Sequence, residues 1–297
     1  MTEHLVAPQP TLTRGVAVRI WVALLVANIL VYAALATPGI LTLSMRFTEI
    51  ESLNPVAMLS IVIGVSSVAQ LVIGPLVGRL SDRTGARIGM RRPWLIGCGI
   101  VGLLGTTTIA VVVDPTAIVI AWAVASAAYV AANVVLVSIM IDHVPVHLHG
   151  RISFAIAAAS FIAPAAGAAL VPLLGNSPTW GLLVPAIATV VLLPLLAFAL
   201  PDRQLETRPP RFTLRELGQS YWINPLGRPS FAALLVTAFC AIGAYAIPQI
   251  YLYYVLAFTI KISESDLPGA VSLLAAIGAV AAIGAGALGG YLSDKLR

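Results

Sequence analysis

The chain has 297 residues, of which 59% are hydrophobic and only 10% charged, and its mean hydropathy is +0.98. A soluble globular domain carries about a quarter charged residues, so that class is excluded and lipid is the solvent for most of the chain. The net charge of +5 is interleaved with apolar runs, which points to membrane topology and away from nucleic acid. Cys98 and Cys240 both lie inside apolar runs, which implies no disulfide framework and no metal cluster.

The first residues, "MTEHLVAPQPTLT", are polar and proline-bearing and do not form a signal peptide. Residues 1–17 are expected to be a cytoplasmic tail. Eight apolar segments are long enough to cross a bilayer: 18–43, 55–79, 93–113, 116–140, 152–174, 179–200, 230–258 and 267–291. The first six form a six-helix bundle over 18–200. A cytoplasmic linker covers 201–229, and a partial second bundle of two helices covers 230–297. The expected fold class is therefore an all-α integral membrane protein.

With the N-terminus inside, the inner loops hold fifteen of the lysines and arginines, and the outer loops hold only Arg46 and Lys261. That bias orients the chain with a cytoplasmic N-terminus in the cell (plasma or inner) membrane, and it supports the count of eight. In the linker, Thr213 and Glu216 form a capping-box pattern after Pro209 and Pro210, and Leu214, Leu217 and Tyr221 share a face. A short amphipathic helix at the membrane surface fits that pattern, and so does a plain linker.

Between the second and third segments runs "GPLVGRLSDRTGARIGMRRP". Its first half returns as "GALGGYLSDK": Gly74, Leu76, Gly78, Leu80, Ser81 and Asp82 align without gaps on Gly286, Leu288, Gly290, Leu292, Ser293 and Asp294. Each copy follows the second span of its unit, which marks an internal repeat of six spans. Parallel repeats of six helices build one large class of transporters.

The stretch Gly78–Arg92 resembles the loop signature of the major facilitator superfamily, with Gly78, Asp82, Arg83, Gly85, Arg87 and Arg91 or Arg92 on the pattern. Its detail, "SDRTGARIGMRRPW", is most similar to the version in sugar-type members such as glycoside–cation symporters and sucrose transporters. "IDHVPVHLHGRIS" resembles the loop after the fourth span, matching at Asp142, Pro145, Gly150 and Arg151, with His149 where an arginine is usual. "APAAGAAL" resembles the proline–glycine motif of drug antiporters only loosely, at Pro164 and Gly167. The resemblance covers essentially the whole chain. It implies a major facilitator-type bundle with a complete first half plus two helices of the second. Such transporters have twelve spans, so the chain is expected to be a fragment, a truncated reading frame or an unusual member that needs a partner.

The resemblance also implies a conformational latch built from Gly78, Asp82, Arg83, Gly85, Arg87, Arg92, Asp142, Arg151 and Asp294. Glycines allow close helix approach. Asp82 could accept bonds from a helix N-terminus in the second half, and the arginines could pair with carboxylates there. The simpler reading leaves these arginines as topological charges. That accounts well for Arg91 and Arg92, but not for the repeated Gly-Leu-Ser-Asp frame.

All twelve acidic residues lie in loops, tails or helix ends, so no mid-span carboxylate marks an ion relay. A coupling ion (H+ or Na+) would act through helices absent from this chain. The spans instead carry amides, hydroxyls and rings at helical spacing. Trp122, Ser126, Tyr129 and Asn133 form one face of the fourth span, Asn28 and Tyr32 pair in the first, and Tyr245, Gln249 and Tyr253 recur in the seventh. Gln70 stands alone in the second. Such groups suit a neutral polyhydroxylated solute, or they bond packed helices together. Asn28, Tyr32, Trp122, Tyr129, Asn133, Tyr245 and Gln249 are the expected pathway residues, since spans 1, 4 and 7 line the cavity in the resembled family.

The leading expectation is a secondary transporter of a small neutral solute working by alternating access, with lipid and solute as its partners. Efflux of amphipathic compounds is the second reading, and a non-transporting remnant or partner-binding membrane protein the third. No metalloprotease, nucleophile-elbow or phosphate-loop motif appears, so neither an enzyme nor a cofactor is expected. His143 and His147 stand four apart, but Pro145 between them makes a metal site improbable.

Overall fold

The computed structural model describes residues 14–50, 54–202, 227 and 229–295, with the side chains of 14–17, 146, 147, 151, 290, 291, 293 and 294 left aside. The proposed amphipathic segment at 213–221 lies outside the described residues.

The first span is α1 (Arg14–Thr37), a π-helical turn (Pro38–Thr42) and α2 (Leu43–Glu49) in one continuous rod. Proline cannot donate to the preceding turn, and the helix widens at Pro38, whose carbonyl accepts from Leu43 N–H. There follow α3 (Pro55–Ser81), α4 (Arg92–Val111), α5 (Pro115–His143), α6 (Val146–Leu173) and α7 (Pro178–Ala199). The last two spans are α8 (Pro229–Tyr254), which ends in a second π-helical turn (Val255–Ile260), and α9 (Leu267–Lys295). Among the described residues, eight helices are long and apolar enough to cross a membrane, and no strand is present. The all-helical expectation holds. The first and fifth spans run six residues past the hydropathy limits, and the eighth runs four.

Local chemistry fixes where these helices start. Asn54, Asp114 and Ser177 each stand before a proline and cap their own helix, accepting from Ala57, Ala117 and Trp180 N–H at 3.2, 2.7 and 3.4 Å. All three caps lie at the same end of the bundle. The other end carries Asp82 and its arginines and is called the basic end below.

Helix α5 packs on α3 and α4, and α1 packs on α5, α6 and α7; α4 also packs on α7, and α9 lies on α6. Apolar burial does little to drive helices together in lipid, so close packing of small residues must do it. Gly102 shows this: a Cβ there would overlap the ring of Tyr129. The core holds Leu24, Val31, Leu41, Phe47, Trp122 and Leu136, while Leu71, Leu104 and Leu195 point outward, as lipid-facing residues should.

Candidate functional site

At the basic end, Arg91 is the centre of a network. Its side chain is 4% exposed, and Nη2 lies 2.6 Å from Asp82 Oδ1 and 3.0 Å from Asp142 Oδ2, while Nη1 donates to Ser81 Oγ at 2.6 Å. The end of α3, the connecting loop and the end of α5 are thus joined by one guanidinium, whose planar fork of donors suits it to several acceptors at once. Of the two arginines that the loop pattern allows, Arg91 is the one buried against Asp82 and Asp142, both expected in the latch. Asp82 bonds within its own loop in this structure.

Arg92, expected in the latch, does something different. Its Nε and Nη2 donate to the carbonyls of Ala197 and Leu200 at 3.0 Å each, and its guanidinium lies 5.3 Å from the Phe198 ring centroid. It therefore satisfies the open carbonyl end of α7. In return, Asp202 accepts from the N–H groups of Arg91 and Arg92 at the start of α4, at 3.0 Å each to Oδ2. Sequence reasoning missed Asp202. It lies 110 residues from its partner in sequence, and only its position just beyond the sixth span could have flagged it.

Of the remaining latch residues, Gly78 lies against α5, where a Cβ would meet Val134 Cγ1 at 3.7 Å, and Gly85 faces open space. Arg83 and Arg87 lie in the same loop, Arg87 exposed. The side chains of Arg151 and Asp294 lie outside those described. His143 Nδ1 and His149 Nε2 stay within hydrogen-bonding distance of local carbonyls, Ile139 O and Val144 O. Among the described residues no three His, Cys, Asp or Glu converge as a metal site would require.

The expected pathway residues fall into three places. Trp122, Tyr245 and Gln249 line a cavity of about 280 Å³ between α1, α3, α5, α6 and α8, together with Ser66, Ser67, Gln70, Ser160 and Pro164. No charged side chain lines it. Tyr245 stands edge-on to Phe161 at 5.2 Å and bonds Gln249, whose Oε1 is buried without a protein partner. Gln70, noted in the sequence only as an isolated amide, belongs here.

Asn28, Tyr32 and Asn133 form a second place. Asn133 Nδ2 donates to Asn28 Oδ1 at 3.0 Å, Asn28 Nδ2 donates to Leu24 O at 2.8 Å, and Asn133 also bonds the Tyr32 hydroxyl. This node lies eleven residues beyond Trp122 on α5, about 16 Å towards the basic end. Tyr129 is fully buried and its hydroxyl lies 3.1 Å from Thr106 Oγ1 on α4, so it ties α5 to α4 and is not among the residues lining the cavity.

At the opposite end, α8 is tied to the first six spans. Tyr251 Oη lies 2.8 Å from Ser60 Oγ, and Tyr254 donates to Pro55 O at 3.0 Å. Tyr253 bonds Thr48, and Asn176 Nδ2 donates to Ser265 O at 3.1 Å just before α9. Tyr251 and Tyr254 were missed, although "YLYY" beside a span end is a recognisable interfacial pattern.

No curated protein matches this chain. An all-helical bundle of spanning helices, an arginine-centred loop after the second span and a cavity between the first six spans and the seventh converge with a match of residues 11–297 to the Major Facilitator Superfamily, and the chain belongs to that family of membrane transporters.

Proposed function

We propose that this chain moves a small, neutral, polyhydroxylated solute, sugar- or glycoside-like, by alternating access between its first six spans and the spans that follow. The observation that carries this is the lining of the 280 Å³ cavity: amides from Gln70 and Gln249, hydroxyls from Ser66, Ser67 and Ser160, and the rings of Trp122 and Tyr245, without a formal charge. Drug-sized ligands occupy sites of roughly 300–1,000 Å³, so this space suits something smaller. Sugars offer hydroxyls to amides and C–H faces to rings. A charged solute would find no side chain of opposite charge in this lining. Gln249 Oε1 is buried without a protein partner, and in this reading a solute hydroxyl takes that place.

In this reading the structure is a state closed at the end of Tyr251 and Tyr254. In the same reading the Asn28–Tyr32–Asn133 node stands along the route towards the basic end, and the Arg91 network with Ser81, Asp82 and Asp142 controls that end. The positive-inside bias favours a basic end that faces the cytoplasm. A coupling ion would need a carboxylate outside this cavity, since none lines it. Outward movement of amphipathic compounds is the second reading, favoured by the two aromatic rings.

The test is tryptophan fluorescence of the purified chain, titrated with neutral mono- and disaccharides and with hydrophobic cations. A saturable change with one neutral sugar, lost in Trp122→Phe, is expected. Saturation by the cations alone would replace sugar uptake with efflux.

A further inference from the structure

The serine hydroxyls that line the solute cavity have already given up their protons. Such a hydroxyl holds one O–H donor and two acceptor lone pairs. Ser66 Oγ and Ser67 Oγ of α3 both donate to Ile63 O, at 3.0 and 2.7 Å, and Ser160 Oγ of α6 donates to Ala157 O at 2.6 Å. All three serines line the cavity, so towards a solute they can only accept.

A further acceptor comes from the backbone. Pro164 lies inside α6, one turn after Ser160, and both residues line the same cavity. Proline has no N–H, and its ring crowds the carbonyl four residues earlier. The Ser160 carbonyl therefore lacks its helical donor, and the Ser160 hydroxyl, spent on Ala157 O, does not replace it. Because Ser160 and Pro164 both line the cavity, the opened turn between them lies on that face of α6. At membrane depth a freed backbone group is tolerated where it lines a cavity. Gln70 and Trp122 carry N–H donors for a solute oxygen, while the serines and the α6 backbone take the solute's own protons.

We propose, on the reading of this cavity as the solute site, that Pro164 determines specificity: by withholding an N–H from Ser160 O it presents a backbone acceptor, and the site selects its solute by free hydroxyl donors. A sugar with free hydroxyls both donates and accepts, so it satisfies both sets of groups. An ether or a fluorinated analogue of the same size leaves one acceptor facing another and strands the carbonyl.

Fluorodeoxy sugars test this, because fluorine is close to a hydroxyl in size and cannot donate. Tryptophan fluorescence of the purified chain is titrated with D-glucose, D-galactose and D-mannose, and with the monofluorodeoxy derivatives of each. Pro164→Ala restores the N–H in a residue that favours helix, so Ser160 O closes its own turn. The expected result is saturable binding of one hexose and a roughly tenfold loss on fluorination at one ring position. In Pro164→Ala the parent hexose should show the same loss, with nothing further lost at that position. Pro164→Val restores the same N–H with bulk nearer that of the ring and should behave alike. Pro172→Ala, in the same helix but outside the lining, should bind every compound like the wild type. Unchanged affinity in both Pro164 variants would overturn the proposal and leave the solute reading standing. Equal losses for the parent and every derivative would also overturn it, since the proline would then act through the shape of α6. A wild type silent to all three hexoses would end the sugar reading and this proposal with it.

Discussion

Arg92 and Asp202 exchange caps between two antiparallel helices. Arg92, at the start of α4, donates to the carbonyls of Ala197 and Leu200 at the end of α7. Asp202, three residues past α7, accepts from the N–H groups of Arg91 and Arg92 at the start of α4. A helix end in or near lipid has little water to satisfy it. Here each end satisfies the other. Asp202→Ala should therefore cost about 1–2 kcal/mol, the upper range for a lost N-cap. Asp202→Asn should recover part of it through its side-chain oxygen. Because both residues secure one interface, Arg92→Ala and Asp202→Ala should be non-additive, with a coupling of about 0.5–3 kcal/mol. Unfolding midpoints of the four proteins in detergent measure this, and strict additivity would refute the exchange.

Gly89 makes that cap geometrically possible. Its φ of +119° is open to glycine and strained for other residues, and a Cβ there would overlap the Asp202 carboxylate. Gly89→Ala should thus act mainly by expelling Asp202, at a cost of at least about 1 kcal/mol. Combined with Asp202→Ala, it should add only the backbone strain. A double mutant as destabilised as the sum of the two singles would show that the clash is elsewhere.

The helices were legible in the sequence because lipid leaves the chain few choices. Twenty apolar residues in a row can only span, and the fold class followed from that. The site was legible in part. Trp122, Tyr245 and Gln249 are polar or aromatic groups in apolar runs, and they meet at one cavity. Asn28 and Asn133 look the same in sequence but bond each other, because periodicity gives a helix face and not its partner. Asp202 was invisible for a further reason: it serves backbone N–H groups 110 residues away in the chain, and neither a motif nor a spacing encodes that.

The Arg91 network predicts an order among carboxylates. Asp82 and Asp142 share Nη2 of Arg91, but their side chains are 56% and 26% exposed. An exposed pair contributes about 0–1 kcal/mol, whereas a charge-assisted bond to a buried group contributes about 1.5–3 kcal/mol. Asp142→Asn should lower the unfolding midpoint more than Asp82→Asn. Arg91→Lys should rescue neither, because an ammonium cannot reach Ser81 and two carboxylates with a fixed fork. Equal losses for the two aspartates would mean that exposure does not set their weight.

The far-end contacts predict a shift in conformation. Tyr254→Phe removes the bond to Pro55 O, and Tyr251→Phe removes the bond to Ser60. A neutral hydrogen bond contributes about 1 kcal/mol, so each change should move the closed-to-open ratio at that end roughly fivefold. Spin labels at positions 57 and 261, in a background with Cys98 and Cys240 replaced by Ser, would report it as a growing long-distance population. An unchanged distance distribution in the double variant would show that packing, not these hydroxyls, holds that end.

The cavity offers the sharpest discrimination, because two amides in the same membrane should fail in different ways. Gln249 Oε1 is buried with no protein partner, so Gln249→Ala removes an unsatisfied acceptor, which offsets the loss of Tyr245's partner and should leave the stability cost well below that of Asn133→Ala. If a solute hydroxyl is its partner, affinity should fall about tenfold, the worth of one hydrogen bond in a partly dry site. Asn133→Ala strips partners from Asn28 and Tyr32 at once and should cost about 1–3 kcal/mol of stability. Any change in affinity there should follow only if the node stands on the route. Tyr129→Phe should lose the Thr106 contact alone and leave affinity where it was. Binding isotherms read beside unfolding midpoints separate these cases. A Gln249→Ala protein that binds its sugar like the wild type would remove the amide from the site, and with it the main reason to favour a sugar over an amphipathic compound.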